Sequence, residues 1–380
     1  MVFYLTKDYN YSVGILLYNT KETKMGKIKI VQFGCGKMAK YLMRYSLEKG
    51  GEIVGAFDNN PDIVGKDIGF VIEGEDKGIK IQAAENLEKC LETEKPDVCI
   101  VATRSTVEEI SDVYKLCAKH GVNAISTCEE ALYPWNSSKE LTEELDKLAK
   151  ENNCTLSGSG YPDMYWGVLV DTVAGSLFNI KKIHGISSYN VEDYGIALAE
   201  GHGAGLNQED FNEKFGQYND LNYEDTLTAI EEGKVIPSYM WNQNGWLCEK
   251  LGLTIKSQTQ KSIPVTHTED LESSTLNMII KAGDATGTEF VVTTETEEGI
   301  TIETHNLGYV YAPENYDINR WTFEGEPDTK LVMDNPDTVR LTCSNLVNRI
   351  PALIKAEAGY ITTDKMPNPK YMVKDMDFYI

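Results

Sequence analysis

The sequence predicts an α/β fold, a doubly wound parallel sheet followed by a second α+β unit with a mainly antiparallel sheet. Three observations carry this expectation. Between residues 25 and 158, short apolar runs alternate with amphipathic stretches, the pattern of parallel strands joined by right-handed helical crossovers. Beyond Tyr161 the alternation stops. Residues 253–309 are rich in Thr, Val and Ile, with turns such as Asp284-Ala285-Thr286-Gly287 and Glu298-Gly299, which reads as antiparallel sheet. Finally, 380 residues are enough for two cores of ordinary domain size.

The first strand, Ile28-Lys29-Ile30-Val31-Gln32-Phe33, runs straight into Gly34-Cys35-Gly36-Lys37-Met38-Ala39. A G-x-G-x-x-A segment between a strand and a helix is the Rossmann dinucleotide fingerprint. Gly34 permits the tight turn, Gly36 lets backbone approach a pyrophosphate, and Ala39 lets the helix pack closely on the strand. The unpaired N–H groups and positive dipole end of that helix suit phosphate. Met38, Tyr41, Leu42 and Tyr45 give the helix one apolar face. The second strand, Glu52-Ile53-Val54-Gly55-Ala56-Phe57, ends in Asp58, where an acid meets the adenosine ribose. This order of elements predicts a nicotinamide dinucleotide. Its expected contacts are Gly34, Cys35, Gly36, Lys37, Met38, Asp58 and Asn59, with Thr103 and Arg104 at a later strand end. A carboxylate at Asp58 repels a 2′-phosphate, which favours NAD over NADP; Asn59 and Asn60 soften that preference.

The remaining elements follow in order. Residues 79–81 form a short strand, 84–92 a helix and 97–102 a buried strand between Pro96 and Thr103. A helix over 107–120 stops at Gly121, a C-terminal signal, and 122–126 is again strand. Ser137-Ser138-Lys139-Glu140 has the pattern of a capping box opening a helix to residue 152. Residues 154–156 close the series ahead of Gly158-Ser159-Gly160. The second unit begins with a helix over 163–178 and an extended strand over 182–191. Two or three helices follow between 208 and 251. A long helix over 338–356, containing Asn348-Arg349-Ile350-Pro351, is expected to fold back on the first unit. The expected domains are thus 25–158 for the dinucleotide and 159–337 for substrate and dimerisation. Residues 1–24 read as an appendage without assigned function. Their apolar stretch, 13–18, is short and has neither a basic start nor a small-residue cleavage site.

Composition excludes several classes. The net charge is −23 and there is no Lys/Arg run to track a phosphate backbone, so nucleic acid is not an expected partner. No apolar run approaches the roughly 18 residues of a membrane span. Eight scattered cysteines without a C-x-x-C point to a reduced, cytoplasmic protein. Five histidines never fall at H-x-x-x-H or H-x-H spacing, so no metal is expected.

Ligands of an open parallel sheet bind beyond the carboxyl ends of its strands. There, Ser126-Thr127-Cys128-Glu129-Glu130 places two adjacent carboxylates facing the nicotinamide end of a dinucleotide. An amine substrate explains them. Hydride leaves a carbon bearing nitrogen only when the nitrogen has a free lone pair, so an ammonium must first lose its proton to a base. A carboxylate attracts the cation, takes the proton and later activates water against the iminium. Tyr161, Asp163 and Tyr165 are placed on the substrate wall, His202 on a glycine-rich turn closing over it, and Arg349 on a substrate carboxylate. Each has a structural alternative in packing, loop or ion pair. Nothing beside Cys35 or Cys128 suggests an activated nucleophile.

Together, Gly34-Cys35-Gly36-Lys37-Met38, Ile125-Ser126-Thr127-Cys128-Glu129-Glu130-Ala131, Tyr133-Pro134-Trp135, Gly158-Ser159-Gly160-Tyr161, Gly203-Ala204-Gly205-Leu206 and Val347-Asn348-Arg349-Ile350-Pro351 resemble the 2,4-diaminopentanoate dehydrogenase family of clostridial ornithine fermentation. The resemblance runs from about Lys27 to the C-terminus, and S-T-C-E-E-x-x-Y-P-W is its most specific part. It implies oxidative deamination of 2,4-diaminopentanoate at C4, giving 2-amino-4-oxopentanoate, ammonia and NAD(P)H; a homodimer is the expected assembly. It also implies that a glutamate near the nicotinamide handles the amine, a role that maps onto Glu129 or Glu130 alike. One departure falls on the substrate wall: many relatives have N-P-G after the G-x-G, where this chain has Tyr161-Pro162-Asp163. Rival readings are a cyclic-imine reductase, a homoserine-type dehydrogenase, or a dinucleotide-binding sensor without turnover. Ammonia dependence separates the first two from an amine dehydrogenase.

Overall fold

Seven parallel strands build the first sheet of the computed structural model, which describes residues 26–380. The appendage expected over 1–24 lies outside the described residues. In chain order the elements are β1 (Lys29–Phe33), α1 (Lys37–Glu48), β2 (Glu52–Asp58), α2 (Ile68–Ile72), β3 (Ile81–Ala83), α3 (Leu87–Glu94), β4 (Val98–Val101), α4 (Val107–Lys119), β5 (Asn123–Ser126), α5 (Lys139–Glu151) and β6 (Thr155–Gly158). The order β6-β5-β4-β1-β2-β3 reverses between β1 and β4, which opens a crevice at their carboxyl ends. All four residues of β4 are buried, as the apolar run over 97–102 requires of a central strand covered on both faces.

The second half continues with α6 (Leu169–Ala174), β7 (Asn179–Asn190), α7 (Ile196–Gly201), α8 (Gln208–Lys214), α9 (Tyr223–Glu231), α10 (Tyr239–Leu251), β8 (Ile255–Thr266), β9 (Leu271–Ser273), β10 (Met278–Ile280), β11 (Ala285–Thr296), β12 (Thr301–Tyr309), β13 (Ile318–Glu326) and β14 (Thr329–Asp334). Six strands form a sheet in the order β14-β13-β7-β12-β11-β8. It is antiparallel except where β12 runs parallel to β7. Ile183, Val292, Ile302, Trp321 and Phe323 point to its inner face and pack on Trp241, Trp246 and Leu247 of α10.

The chain then returns through α11 (Thr338–Lys355) and β15 (Gly359–Tyr360), which adds an edge to the first sheet beside β6. Cys343, Leu346, Val347, Ile350 and Leu353 of α11 share one core with Ile30, Leu42, Val98, Ile100 and Ile125. Met38, Tyr41 and Tyr45, the apolar face read on α1, pack against that core. No helix among the described residues is long and apolar enough to cross a membrane.

Several elements differ from expectation. The helix expected over 163–178 is a wide π-helical turn over Asp163–Val168 followed by the short α6, capped at Gly175. Gly167 lies inside that turn, where a Cβ would come within 3.0 Å of the Trp246 ring, so close packing rather than propensity shapes the segment. The capping box expected at Ser137–Glu140 is absent: Ser138 makes no cap bond, and both serine hydroxyls turn to Glu130. A reciprocal capping box forms instead at Thr106 and Glu109, at the start of α4. Strands β13 and β14 were not anticipated, although Asn319, Trp321 and Phe323 alternate inward against Arg320 and Glu324 outward.

Candidate active site

Gly34 leaves β1 with φ of +85°, and a Cβ there would sit 2.4 Å from the Ala102 carbonyl oxygen. Only glycine lets β1 and the end of β4 approach this closely. Gly36 then caps α1 with extended backbone and no capping side chain, and space beyond its absent Cβ is open. The first N–H groups of α1 therefore face an open cradle, which fits a pyrophosphate. Asp58 holds the turn from beneath: Oδ2 accepts the Cys35 N–H at 2.6 Å and Oδ1 accepts that of Asn60 at 2.7 Å. Each oxygen keeps a second lone pair for a hydroxyl donor. Asn59 is exposed beside it. The Cys35 thiol is buried, and burial with the Asp58 charge pushes it up to about 12, which makes it inert.

Beyond Gly36, Lys37 and Met38, a cavity of about 250 Å³ continues past Thr103, Arg104 and Ser105 to Glu129. A wider cleft of about 1010 Å³ opens from the same Gly36–Lys37 corner towards Asp193, Asp317 and Arg340. The far wall of the smaller cavity is aromatic, made by Tyr161, Trp166, Tyr189, Tyr194 and Tyr239. Their edges interlock. Trp166 meets Tyr161 and Tyr239 edge-on at 5.9 and 5.8 Å, and Tyr189 meets Tyr194 at 5.7 Å. Such a wall attracts a desolvated cation through the ring faces. The Trp166 indole N–H is buried here without a protein acceptor.

The structure separates the two glutamates. At the end of β5, Ser126 Oγ accepts the Cys128 N–H and turns the chain sharply. A three-residue 3₁₀ turn, Glu130–Leu132, follows under β6, where a Cβ on Gly158 would lie 2.3 Å from the Ala131 carbonyl carbon. This turn aims Glu129 into the cavity and Glu130 away from it. Glu130 is buried, and its Oε2 accepts the Val107 N–H at 2.6 Å. Its Oε1 accepts Ser137 and Ser138 Oγ at 2.6 and 2.5 Å. That carboxylate is a structural hub for the start of α4 and the approach to α5. For Glu129, burial raises the pKa to about 7, against hydrogen bonds from Tyr239 and Ser105 that favour the charged form. A carboxyl poised near neutrality inside an aromatic cavity is suited to taking and returning one proton.

Other expected substrate contacts are placed elsewhere. Asp163 and Arg349 are wholly buried and pair with each other: Arg349 Nε donates to Oδ2 at 2.7 Å and Nη2 to Oδ1 at 2.6 Å. Ser159 Oγ and Asn345 Nδ2 also donate to Asp163, and Arg349 donates to the Pro367 carbonyl. A guanidinium so occupied, joining α11 to the chain after β6, is no clamp for a substrate carboxylate. Tyr165 stacks behind Tyr161 at 4.4 Å and supports the wall rather than lining it. His202, expected on a mobile turn, is buried beneath Tyr189. Burial lowers its pKa to about 4, so the ring is neutral. Its Nδ1 lies 2.9 Å from the Leu198 carbonyl and must carry the proton, leaving Nε2 to accept from Tyr189 Oη at 2.8 Å. Tyr189 thereby donates inward, with Asn306 Oδ1 at 3.3 Å as a second partner, and its oxygen keeps lone pairs to accept with.

Tyr189, Tyr194 and Tyr239 were not singled out in the sequence. They had no signal beyond a tyrosine content of 21 against 10 phenylalanines, a bias towards rings with a polar tip.

No protein-family model matches the chain. It is 25% identical, over 92% of its length and 96% of the relative, to 2,4-diaminopentanoate dehydrogenase of Acetoanaerobium sticklandii. Among solved structures, amine dehydrogenase from Mycobacterium smegmatis is 33% identical, covering 92% of this chain and 98% of that one, with a TM-score of 0.83. A probable dehydrogenase from Thermotoga maritima shares the fold at a TM-score of 0.53 and 12% identity, covering 88% of this chain and 92% of that one.

Proposed function

The chain belongs to the amine dehydrogenase family, NAD(P)-dependent oxidoreductases acting on amines, and we propose that it deaminates 2,4-diaminopentanoate oxidatively at C4 with Glu129 as its base. The observation that carries the role of Glu129 is its position: it joins the Gly36–Met38 cradle to the aromatic wall, with a pKa near 7. When bound, the dinucleotide supplies the hydride acceptor. The Gly34–Met38 turn, Asp58, Asn59, Thr103 and Arg104 are the residues that would hold it, with Asp58 favouring NAD.

Glu129 draws the substrate ammonium into the cavity, where the rings of Trp166 and Tyr239 and the Tyr189 oxygen add acceptors for a cation. The carboxylate takes one ammonium proton, which frees the nitrogen lone pair that expels hydride from C4. Glu129, now protonated, returns that proton to bulk or to solvent in the cavity, then as carboxylate takes a proton from the water attacking the iminium carbon. The resulting acid protonates the nitrogen of the carbinolamine, and the carboxylate so regenerated takes the hydroxyl proton as the carbonyl forms and ammonia leaves. Positioned proton transfer of this kind contributes on the order of 10²–10⁴-fold.

With Arg349 withdrawn, Lys37 and Arg104 are the cations that line this cavity. The ornithine-fermentation setting follows from that substrate, and a homodimer is the proposed assembly. The test is growth of reduced-nicotinamide absorbance with purified protein, 2,4-diaminopentanoate and either cofactor, ammonia being measured in parallel. One ammonia per reduced nicotinamide supports the assignment. Turnover with simple amines but not with the diamino acid would overturn the substrate and keep the chemistry, and light scattering tests the dimer.

A further inference from the structure

The outward face of the six-stranded sheet gathers side chains that amine oxidation does not use. His184 on β7 lies in register beside Glu303 on β12, and His305 lies two residues along β12 on the same face. Glu303 Oε1 is 3.6 Å from His184 Nε2 and 3.7 Å from His305 Nε2. One ligand atom from each residue falls within 4.8 Å of the other two. A tetrahedral ion with bonds of about 2.0–2.2 Å sets its ligands roughly 3.3–3.6 Å apart, so the trio needs only small side-chain adjustments. The two rings meet at 63° with centroids 5.1 Å apart, converging on the carboxylate instead of stacking.

His305 is also oriented from behind. Its Nδ1 is 2.7 Å from Glu289 Oε1 on the neighbouring β11. A carboxylate on one imidazole nitrogen fixes the tautomer and presents the other nitrogen as a lone pair, the arrangement that commonly supports a metal-bound histidine. All of these groups stand on paired strands, so the backbone that holds them is rigid. Side chains 21–29% exposed leave an ion a way in while limiting competition from water.

We propose that His184, Glu303 and His305 bind a divalent transition-metal ion of the zinc class, with Glu289 positioning His305. Two imidazoles and one carboxylate suit such an ion, and water completes the set. Lys182 is the competitor: its Nζ lies 3.1 Å from Glu303 Oε1 and must leave when the ion arrives. An ion here ties β7 to β12, the one parallel pairing of this sheet among the described residues. It stabilises the sheet from the face opposite α10 and does not enter the Glu129 cavity.

The experiment titrates chelator-treated full-length protein with Zn²⁺ by calorimetry and with Co²⁺ by visible absorption, alongside thermal melting. One ion per chain is expected, with a rise in Tm. His184→Ala and His305→Ala should each abolish binding, and Glu289→Gln should weaken it on the order of 10–100-fold. Lys182→Ala should strengthen it. His120→Ala serves as the control, because His120 lies with Glu88 and Glu92 in another possible ligand group; it should change nothing. NADH binding by each variant verifies that the chain remains folded. Absence of saturable binding, binding that survives both His184→Ala and His305→Ala, or binding lost in His120→Ala would overturn the proposal and leave a charge network only.

Discussion

Replacing Tyr239 by Phe should move the acidic limb of the deamination profile upward. The carboxyl of Glu129 titrates at about 7 because burial raises it, while hydrogen bonds from Tyr239 and Ser105 restrain the rise. A hydrogen bond to a charged group is worth ~1.5–3 kcal/mol, and one pKa unit corresponds to ~1.4 kcal/mol. Removing the Tyr239 hydroxyl therefore raises the Glu129 pKa by roughly one to two units, less whatever Ser105 and entering water recover. Deamination needs the carboxylate, so the rate rises with pH through about 7 in the parent and about one unit higher in the variant. At the acidic end kcat/KM falls on the order of tenfold, and at alkaline pH it returns close to the parent value. The assay is initial-rate kcat/KM across the limb for parent, Tyr239→Phe and Glu129→Gln. A limb unmoved in Tyr239→Phe and still present in Glu129→Gln would show that another group titrates and would refute the assignment of the base.

Other consequences follow from the same geometry. Glu129→Gln should lower kcat by on the order of 10²–10⁴-fold with cofactor affinity retained, as fluorescence titration of NADH would report. Glu130→Gln should instead cost about 1.5–3 kcal/mol in denaturant unfolding, because an amide donor then faces a hydroxyl or the Val107 N–H, while kcat per folded enzyme stays within a few-fold. Asp163→Asn strands the Arg349 guanidinium in the interior and should cost about 3–5 kcal/mol by the same measurement. His202→Phe removes the acceptor that orients Tyr189 and should raise KM for the amine several-fold. His202→Gln, which restores an acceptor, should recover most of it. Asp58→Ala should reduce the preference for NADH over NADPH by on the order of tenfold, equal to ~1.4 kcal/mol in the ratio of the two Kd values.

The elements read most accurately in the sequence were those governed by local rules. The G-x-G-x-x-A turn needs a positive φ and a close strand approach that short-range sequence dictates, and Gly34 shows both. The alternation of the first half follows from strands buried on two faces and helices buried on one. Where two interactions competed for the same side chain, local pattern failed. Ser137 and Ser138 had the spacing of a cap, yet a buried carboxylate needing donors took both hydroxyls. Asp163 and Arg349 had the chemistry of a substrate wall, and each found the other across the fold.

By itself, the sequence determined a dinucleotide cradle, the order of the parallel sheet's elements, and a pair of adjacent acids at a strand end. Those features depend on φ angles, periodicity and positions along a single strand, all of which neighbouring residues specify. Tertiary structure alone decided that Glu129 faces the cavity while Glu130 serves as a buried hub, because one sharp turn sends adjacent side chains in opposite directions. It also assembled the aromatic wall from Tyr161, Tyr189 and Tyr239 on separate segments, and brought His184 to Glu303 and His305 across β7 and β12. Register between distant strands is set by packing of the whole sheet on its core, so no local spacing of tyrosines or histidines carries that information.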